Sequence, residues 1–120
     1  MTTILVVEDI KSNMYLIDFI LKKGGHKVPQ AWSGEEGVAI ALRERPDLIL
    51  MDIQLPGMDG LEAARKIRAS EADGTMPIIA LTSCAMTGDR ERAMAAGCTG
   101  YIEKPINTAT ILREPLIYSR

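Results

Sequence analysis

Short apolar runs alternate five times with longer stretches of helical periodicity, and this alternation constrains the fold more than any other feature of the sequence. The apolar runs predict strands at residues 4–7, 27–31, 48–51, 78–81 and 101–102. The first, third and fourth runs are apolar without interruption, which is typical of strands covered on both faces. Alternation of strands and helices at this spacing predicts a parallel sheet with helices on both sides.

The number of strands favours one topology. With right-handed connections, five parallel strands are expected to form a flavodoxin-like (βα)5 fold, an α/β architecture with strand order 2-1-3-4-5. A chain of 120 residues suits one domain, so we expect residues 1–120 to form a single domain. Hydrophobic residues make up 47% of the chain and charged residues 25%, a composition that supports one core and argues against disorder.

Capping residues indicate where the early helices begin and end. The glycine pair at 24–25 ends the first helix, and Ser33 followed by Glu36 forms a capping box that opens the second. Asp59 followed by Glu62 does the same for the third. Three helices are therefore predicted before the fourth strand.

The later helices have weaker signals. Thr87 can cap a helix that Gly97 ends, and Asn107 can cap a last helix from Thr108 to about Leu112 or beyond. Pro115 limits this last helix, because a proline in a helix interior costs about 3 kcal/mol. The helix either ends just before the proline or begins again after it.

Charge and cysteine usage exclude several classes of protein. A net charge of −2 gives no electrostatic reason to expect nucleic acid or an anionic membrane as partner. The apolar runs are too short to span a bilayer, and the N-terminus has no signal-peptide pattern. Cys84 and Cys98 lack a metal-binding spacing and indicate reduced thiols. We therefore expect a cytoplasmic protein.

Polar side chains follow four of the predicted strands. Glu8 and Asp9 come after strand 1, Asp52 ends strand 3, Thr82 ends strand 4 and Lys104 follows strand 5. In an open parallel sheet, ligands bind beyond the carboxyl ends of the strands, at the point where the strand order reverses. We therefore expect three carboxylates, a hydroxyl and an ammonium group to meet at one edge.

Three carboxylates so placed repel one another by a few kcal/mol per close pair, at an effective dielectric constant of about 20. Such a cluster protonates, pairs with cations or holds a metal. A set of oxygen ligands without histidine or cysteine favours Mg²⁺. This ion typically binds only one or two carboxylates, and waters and a phosphate fill its other coordination positions. Lys104 and Thr82 are suited to phosphoryl oxygens, so the set predicts a site that handles a phosphoryl group.

The nucleophile of such a site is expected to be a carboxylate. His26, the only histidine, precedes strand 2 at the opposite edge of the sheet, so no serine or cysteine has a base beside it. A carboxylate can itself form an aspartyl-phosphate. Asp52 stands at the centre of the row of strand ends and is the candidate nucleophile. Asp9 and a backbone carbonyl near Gln54 would complete the metal shell.

At these residues the chain closely resembles the CheY-like receiver domains of two-component response regulators. The resemblance is carried by Glu8-Asp9, by "DIQLPGMDG" from Asp52, by "ALTS" from Ala80 and by Lys104-Pro105. Single-domain regulators of the DivK type and receivers of hybrid histidine kinases are especially similar in "EDIKSNM" and "AMTGDRERAMAAGCTGYIEKPI". The likeness covers nearly the whole chain.

The resemblance implies a role for each acidic residue. Asp52 would accept a phosphoryl group from a phosphohistidine on a histidine kinase or a histidine phosphotransfer protein. Asp9, Asp52 and the backbone carbonyl of Gln54 would bind Mg²⁺, and Glu8 would act mainly through water. The protein would then be a phosphoacceptor that assists its own phosphotransfer and dephosphorylation, and not an enzyme with a separate substrate.

The resemblance also implies a switch. Lys104 and Thr82 would contact the phosphoryl oxygens, and Tyr101 would turn inward when Thr82 moves toward them. Pro105 matches a cis-proline that aims Lys104 at the site. Phosphorylation adds roughly −1.5 to −2 charges, and the face formed by the fourth helix, fifth strand and fifth helix would respond by binding a downstream protein target.

Other properties follow from the same resemblance and composition. Gln54 and Cys84, two residues beyond Asp52 and Thr82, would tune the lifetime of the phosphoryl group. The segment "TATILREPLIYSR" makes a poor amphipathic helix, so the output face departs from the family pattern. We expect a monomer or weak dimer that binds neither nucleic acid nor membrane directly.

Two alternative functions are weaker. A phosphatase or phosphotransferase of the haloacid-dehalogenase type also uses an aspartyl nucleophile, but it needs a second aspartate where this chain has Gln54. A receiver-like scaffold that works without phosphorylation is the other alternative. The presence of Asp9, Asp52, Thr82 and Lys104 argues against it.

Overall fold

Five strands and four helices alternate along the part of the chain that the computed structural model describes, which comprises residues 2–70, 76–82 and 88–103. The strands are β1 (Ile4–Val7), β2 (Gln30–Ala31), β3 (Leu48–Asp52), β4 (Ile78–Thr82) and β5 (Gly100–Glu103). The helices are α1 (Lys11–Lys23), α2 (Gly34–Glu44), α3 (Gly60–Ser70) and α4 (Asp89–Ala95). The predicted helix after Asn107 lies outside the described residues.

All strand pairs are parallel, and the sheet order is β2-β1-β3-β4-β5. The predicted α/β fold class and strand order are therefore confirmed. Within the described ranges, no helix is long and apolar enough to cross a bilayer.

Every residue of β1, β3 and β4 is buried, because helices cover both faces of the sheet. Successive side chains of a strand point to opposite faces, so each central strand contributes to two cores. On one side Leu5 packs in a cluster with Ile67 of α3. On the other side Ile4 packs in a cluster with Ile17 of α1. The uninterrupted apolar runs in the sequence reflect this double burial.

The second strand is shorter than predicted. The expected strand over residues 27–31 is reduced to Gln30–Ala31, preceded by a single bridge between Lys27 and Thr3. Pro29 has no backbone N–H with which to continue the ladder, although its carbonyl accepts a hydrogen bond of 3.1 Å from the Val6 N–H. The prediction placed the strand correctly and overestimated its length.

Helices α2 and α3 begin at the predicted caps. The Ser33 hydroxyl oxygen accepts a hydrogen bond of 3.1 Å from the Glu36 N–H, and Glu36 Oε1 accepts one of 2.8 Å from the Trp32 N–H. Asp59 Oδ1 accepts a hydrogen bond of 2.9 Å from the Glu62 N–H. Each of these bonds satisfies a backbone donor near the start of a helix.

The start of α4 differs from the prediction. The N-cap of this helix is Gly88, with φ 90°, and no side chain of the described residues makes a capping hydrogen bond there. Thr87, the predicted cap, lies outside the described residues. Glycine adopts a positive φ at little cost, which suits Gly88 to the turn that leads into α4. Gly97, with φ 103°, follows the end of the helix as predicted.

Candidate functional site

The sheet brings three carboxylates together at its carboxyl edge. One oxygen from each of Glu8, Asp9 and Asp52 lies within 4.8 Å of the other two. β1 and β3 are neighbours, with Val7 opposite Met51, so the residues at the ends of both strands meet. The next strand from β1 is β2, whereas the next from β3 is β4, and the cluster therefore lies at the point where the strand order reverses.

The three carboxylates differ in burial and in hydrogen bonding. Glu8 is fully buried and Asp52 is 2% exposed, whereas Asp9 is half-buried. The Asn13 side-chain amide donates a hydrogen bond of 2.9 Å to Glu8 Oε1, and the Gln54 N–H donates one of 2.9 Å to Asp52 Oδ1. N–H donors offset part of the cost of removing these charged groups from water.

Asp9 differs from its neighbours in having an unsatisfied oxygen. Its Oδ1 is buried and has no hydrogen-bond partner within the described part of the chain. A buried carboxylate oxygen without a donor is destabilising, and two further carboxylates nearby add repulsion. A hard cation would relieve both effects, and an all-oxygen set of this kind fits the preference of Mg²⁺. The site thus has the chemistry of a small divalent-cation site.

The backbone at Asp52 is fixed by its surroundings on two sides. The Ile53 N–H donates a hydrogen bond of 3.0 Å to the Leu81 carbonyl, which continues the β3–β4 pairing past Asp52. Gly60, the first residue of α3, packs directly against this backbone. A Cβ atom at Gly60 would lie 2.2 Å from the Asp52 carbonyl oxygen and 2.6 Å from Ile53 Cα.

The sequence prediction missed Gly60, whose lack of a side chain lets α3 approach the backbone of Asp52. The turn through Pro56 and Gly57, where Gly57 has φ 72°, leads the chain back so that α3 begins against the strand end. The only sequence signal was the glycine at the end of "DIQLPGMDG". A glycine is needed at this position because two backbones approach closely there, and strand and helix patterns in a sequence do not reveal such an approach.

Thr82 lies at the same edge of the sheet as Asp52. It is the last residue of β4, is fully buried and pairs with Glu103 of β5. Its neighbour Leu81 is opposite Asp52 in the register. Three predicted residues lie outside the described ranges: Cys84, Lys104 and Pro105. The structure thus places Glu8, Asp9, Asp52 and Thr82 at one edge, as the sequence predicted.

Tyr101 on β5 is half-buried, and its hydroxyl oxygen is buried and has no hydrogen-bond partner among residues 2–70, 76–82 and 88–103. The Arg90 guanidinium lies 6.0 Å from the centre of its ring, within the range of a cation–π contact. Burial raises the pKa of the Tyr101 phenol, and the negative charges of Asp89 and Glu103 act in the same direction. The ring thus lies beside Arg90 of α4, and no described residue bonds to its hydroxyl group.

Neither His26 nor Cys98 belongs to the site. His26 lies between α1 and β2, at the end of the sheet away from the carboxylates, as predicted. Cys98 is buried and free, and burial raises the pKa of its thiol to about 11. The thiol is therefore protonated at neutral pH and is not a nucleophile.

Comparisons with known proteins all lead to one family. Residues 4–114 match the sequence profile described as response regulator receiver domain. Protein PilH of Pseudomonas aeruginosa is 35% identical over 113 residues, which cover 94% of this chain and 93% of PilH. The polar-differentiation response regulator DivK of Brucella ovis is 41% identical over 105 residues, which cover 88% of this chain and 85% of DivK.

Among solved structures, a similar one is the receiver domain of a sensor histidine kinase from Pseudomonas aeruginosa. It shares 41% sequence identity and superposes with a TM-score of 0.91, over 98% of this chain and 97% of that domain. That structure has a magnesium ion coordinated in its active-site cleft.

Proposed function

The chain belongs to the family of response regulator receiver domains, and on that premise we propose that it is a phosphoacceptor in a two-component phosphorelay. In this role Asp52 accepts a phosphoryl group from the phosphohistidine of a histidine kinase or a histidine phosphotransfer protein. The observation that carries the proposal is the cluster of Asp52 with Glu8 and Asp9 at the reversal of strand order.

The proposed metal is Mg²⁺, held by the carboxylates of Asp9 and Asp52 and the backbone carbonyl of Gln54, with Glu8 acting through water. The unsatisfied Asp9 oxygen supports this assignment, and so does the magnesium ion in the similar receiver structure. When bound, the ion neutralises charge on the phosphoryl oxygens. The Gln54 N–H bonds to Asp52 Oδ1, so the backbone of Gln54 already lies beside the nucleophile.

The proposed chemical step is a transfer between two nucleophiles. A carboxylate oxygen of Asp52 attacks the phosphorus atom, and the phosphorus–nitrogen bond to the donor imidazole breaks with its electron pair going to the nitrogen. Thr82 and Lys104 are proposed to donate hydrogen bonds to the phosphoryl oxygens. Gln54 occupies the position where a haloacid-dehalogenase phosphatase needs an aspartate, so fast hydrolysis by that route is not expected.

The output is proposed to be a change in partner binding. An aspartyl-phosphate adds negative charge and acceptors beside Thr82, and Tyr101 on β5 changes its packing in response. The face of α4 and β5, with the helix predicted after residue 107, then binds a downstream protein. We propose one cytoplasmic receiver domain over residues 1–120, monomeric or weakly dimeric, which does not bind nucleic acid itself.

The proposal is tested by chemical phosphorylation. The protein is incubated with acetyl phosphate, with and without Mg²⁺, and its intact mass is measured. We expect one added phosphoryl group only in the presence of Mg²⁺. Borohydride reduces an acyl phosphate to an alcohol, so the modified residue can then be located in peptides. A phosphoryl group on any residue other than Asp52, or no modification, would overturn the proposal.

Asp9→Asn is expected to weaken Mg²⁺ binding by at least about tenfold, because the variant loses one of the charged oxygen ligands. Calorimetric titration of Mg²⁺ measures the dissociation constant. Glu35→Gln is the matched control, since Glu35 is an exposed acidic residue in the first turn of α2 and its loss changes the net charge equally. Equal affinities for the Asp9 and Glu35 variants would contradict the assigned metal shell.

A further inference from the structure

The side chain of Asn13 has no part in the function proposed above, although it contacts the site. Its Nδ2 atom lies 2.9 Å from Glu8 Oε1. An ionised carboxylate accepts hydrogen bonds and cannot donate them, so the amide must present its NH₂ group to Glu8. Glu8 is fully buried and Asn13 is half-buried, so this contact is partly shielded from water.

Helix geometry explains how Asn13 reaches a residue five positions earlier. It is the third residue of α1, and side chains on a helix lean toward the N-terminus of that helix. The N-terminus of α1 follows the end of β1 after a short connection. The amide of Asn13 is thereby directed back at the strand end, where Glu8 and Asp9 lie.

The start of α1 indicates that this arrangement does not serve the helix. The N-cap is Ile10, whose apolar side chain makes no capping hydrogen bond, and the first turn contains no acidic residue. A third helical residue commonly returns a hydrogen bond to its own N-cap, as the side chain of a capping box does. Asn13 instead donates to a carboxylate of the site. Departures from local rules of this kind are expected where function requires them.

We propose that Asn13 is a positioning residue for the Mg²⁺ site, which acts by fixing the orientation of the Glu8 carboxylate. The proposal rests on the metal site of the proposed function. With one oxygen held by the amide, the carboxylate is kept in the orientation in which it contributes to the cluster with Asp9 and Asp52. Loss of partners that orient metal-site carboxylates commonly lowers metal affinity by 10–100-fold.

The test is a double-mutant cycle read out as Mg²⁺ affinity. Calorimetry gives the dissociation constants of the wild type, Asn13→Leu, Glu8→Gln and the double variant. If Asn13 acts through Glu8, Asn13→Leu weakens binding about tenfold in the wild type and less than about twofold in the Glu8→Gln background. A purely structural effect of Asn13 would weaken binding equally in both backgrounds and would overturn the proposal.

Controls separate the proposal from folding and from the proposed function. Ser12→Ala changes an exposed neighbour on α1 and is expected to bind Mg²⁺ as the wild type does. Asn13→Ser is measured in parallel, so that a poorly folded leucine variant does not decide the result. A folded Asn13 variant with wild-type affinity would overturn this inference alone, whereas a wild type that binds no Mg²⁺ would overturn the metal site as well.

An independent measurement uses the unmodified protein labelled with nitrogen-15. The side-chain NH₂ signals of Asn13 are assigned by their loss in Asn13→Ser. Because the amide is bonded to Glu8, these signals are expected to shift during a Mg²⁺ titration with the same midpoint as calorimetry gives. Signals that stay unchanged at saturating Mg²⁺ would also overturn the proposal.

Discussion

Asp52→Asn is expected to reduce phosphoryl incorporation from acetyl phosphate to less than about a hundredth of the wild-type level, because an amide oxygen is a far weaker nucleophile than a carboxylate. The fold should be preserved, since the asparagine oxygen can accept the hydrogen bond that the Gln54 N–H donates to Asp52 Oδ1. Intact-mass measurement after incubation with Mg²⁺ and the phosphodonor gives the result.

The same variant has a second expected effect, on stability. Asp52 is one of three clustered carboxylates, and removing its charge relieves repulsion with Glu8 and Asp9. In the absence of Mg²⁺, we expect the free energy of unfolding to rise by about 1 kcal/mol or more. Urea denaturation with and without Mg²⁺ measures this change. A loss of stability in the metal-free variant would contradict the electrostatic account of the cluster.

Asp59→Asn is the matched control for both measurements. Asp59 is an exposed aspartate that caps α3 and lies outside the carboxylate cluster. Asparagine is an equally good N-cap, so this variant should retain both stability and phosphoryl incorporation. Equal incorporation by the Asp52 and Asp59 variants would mean that the phosphoryl group is attached elsewhere.

Gly60→Ala is expected to lower the free energy of unfolding by about 3 kcal/mol and to impair phosphorylation as well. An added methyl group would lie 2.2 Å from the Asp52 carbonyl oxygen, which belongs to the backbone of β3 and cannot easily move away. Alanine favours helices, so helix propensity alone predicts the opposite sign. Urea denaturation of the wild type and the variant measures the sign of the stability change, and so distinguishes the steric effect from the effect of helix propensity.

Gly25→Ala provides the comparison for that variant. Gly25 has φ 89° and no atom within 4 Å of the position of a Cβ, so only the conformational cost applies. We expect a loss of about 1 kcal/mol at that position. If Gly60→Ala were no more destabilising than Gly25→Ala, the inferred clash between the added methyl group and the Asp52 backbone would be contradicted.

The sheet was predictable because its central strands are buried on both faces. Residues 48–51 and 78–81 are apolar throughout, and no exposed helix has such a pattern. The second strand was predicted too long because its apolar pattern continues through Pro29, which cannot donate to the ladder. At the start of α4 the N-cap is Gly88, a glycine with positive φ, whereas the predicted capping residue Thr87 lies outside the described residues.

The charged residues of the site were predictable for a different reason. Glu8, Asp9 and Asp52 follow strands whose order the topology rules determine, so their meeting could be inferred without contacts. Asn13 and Gly60 could not be inferred in this way. Their importance depends on one hydrogen bond and one close approach between elements, and neither leaves a periodic signal in the sequence.

The place of β3 in the sheet has a consequence for amide hydrogen exchange. This strand is the central one of five and is bonded to β1 and β4, so its amides should exchange with solvent only when the whole domain unfolds. In the described part of the chain, β5 is an edge strand that pairs with β4 alone, and its amides can exchange through local opening. Asp52 thus lies in the strand that opens least often, whereas Tyr101 lies in one that opens more readily.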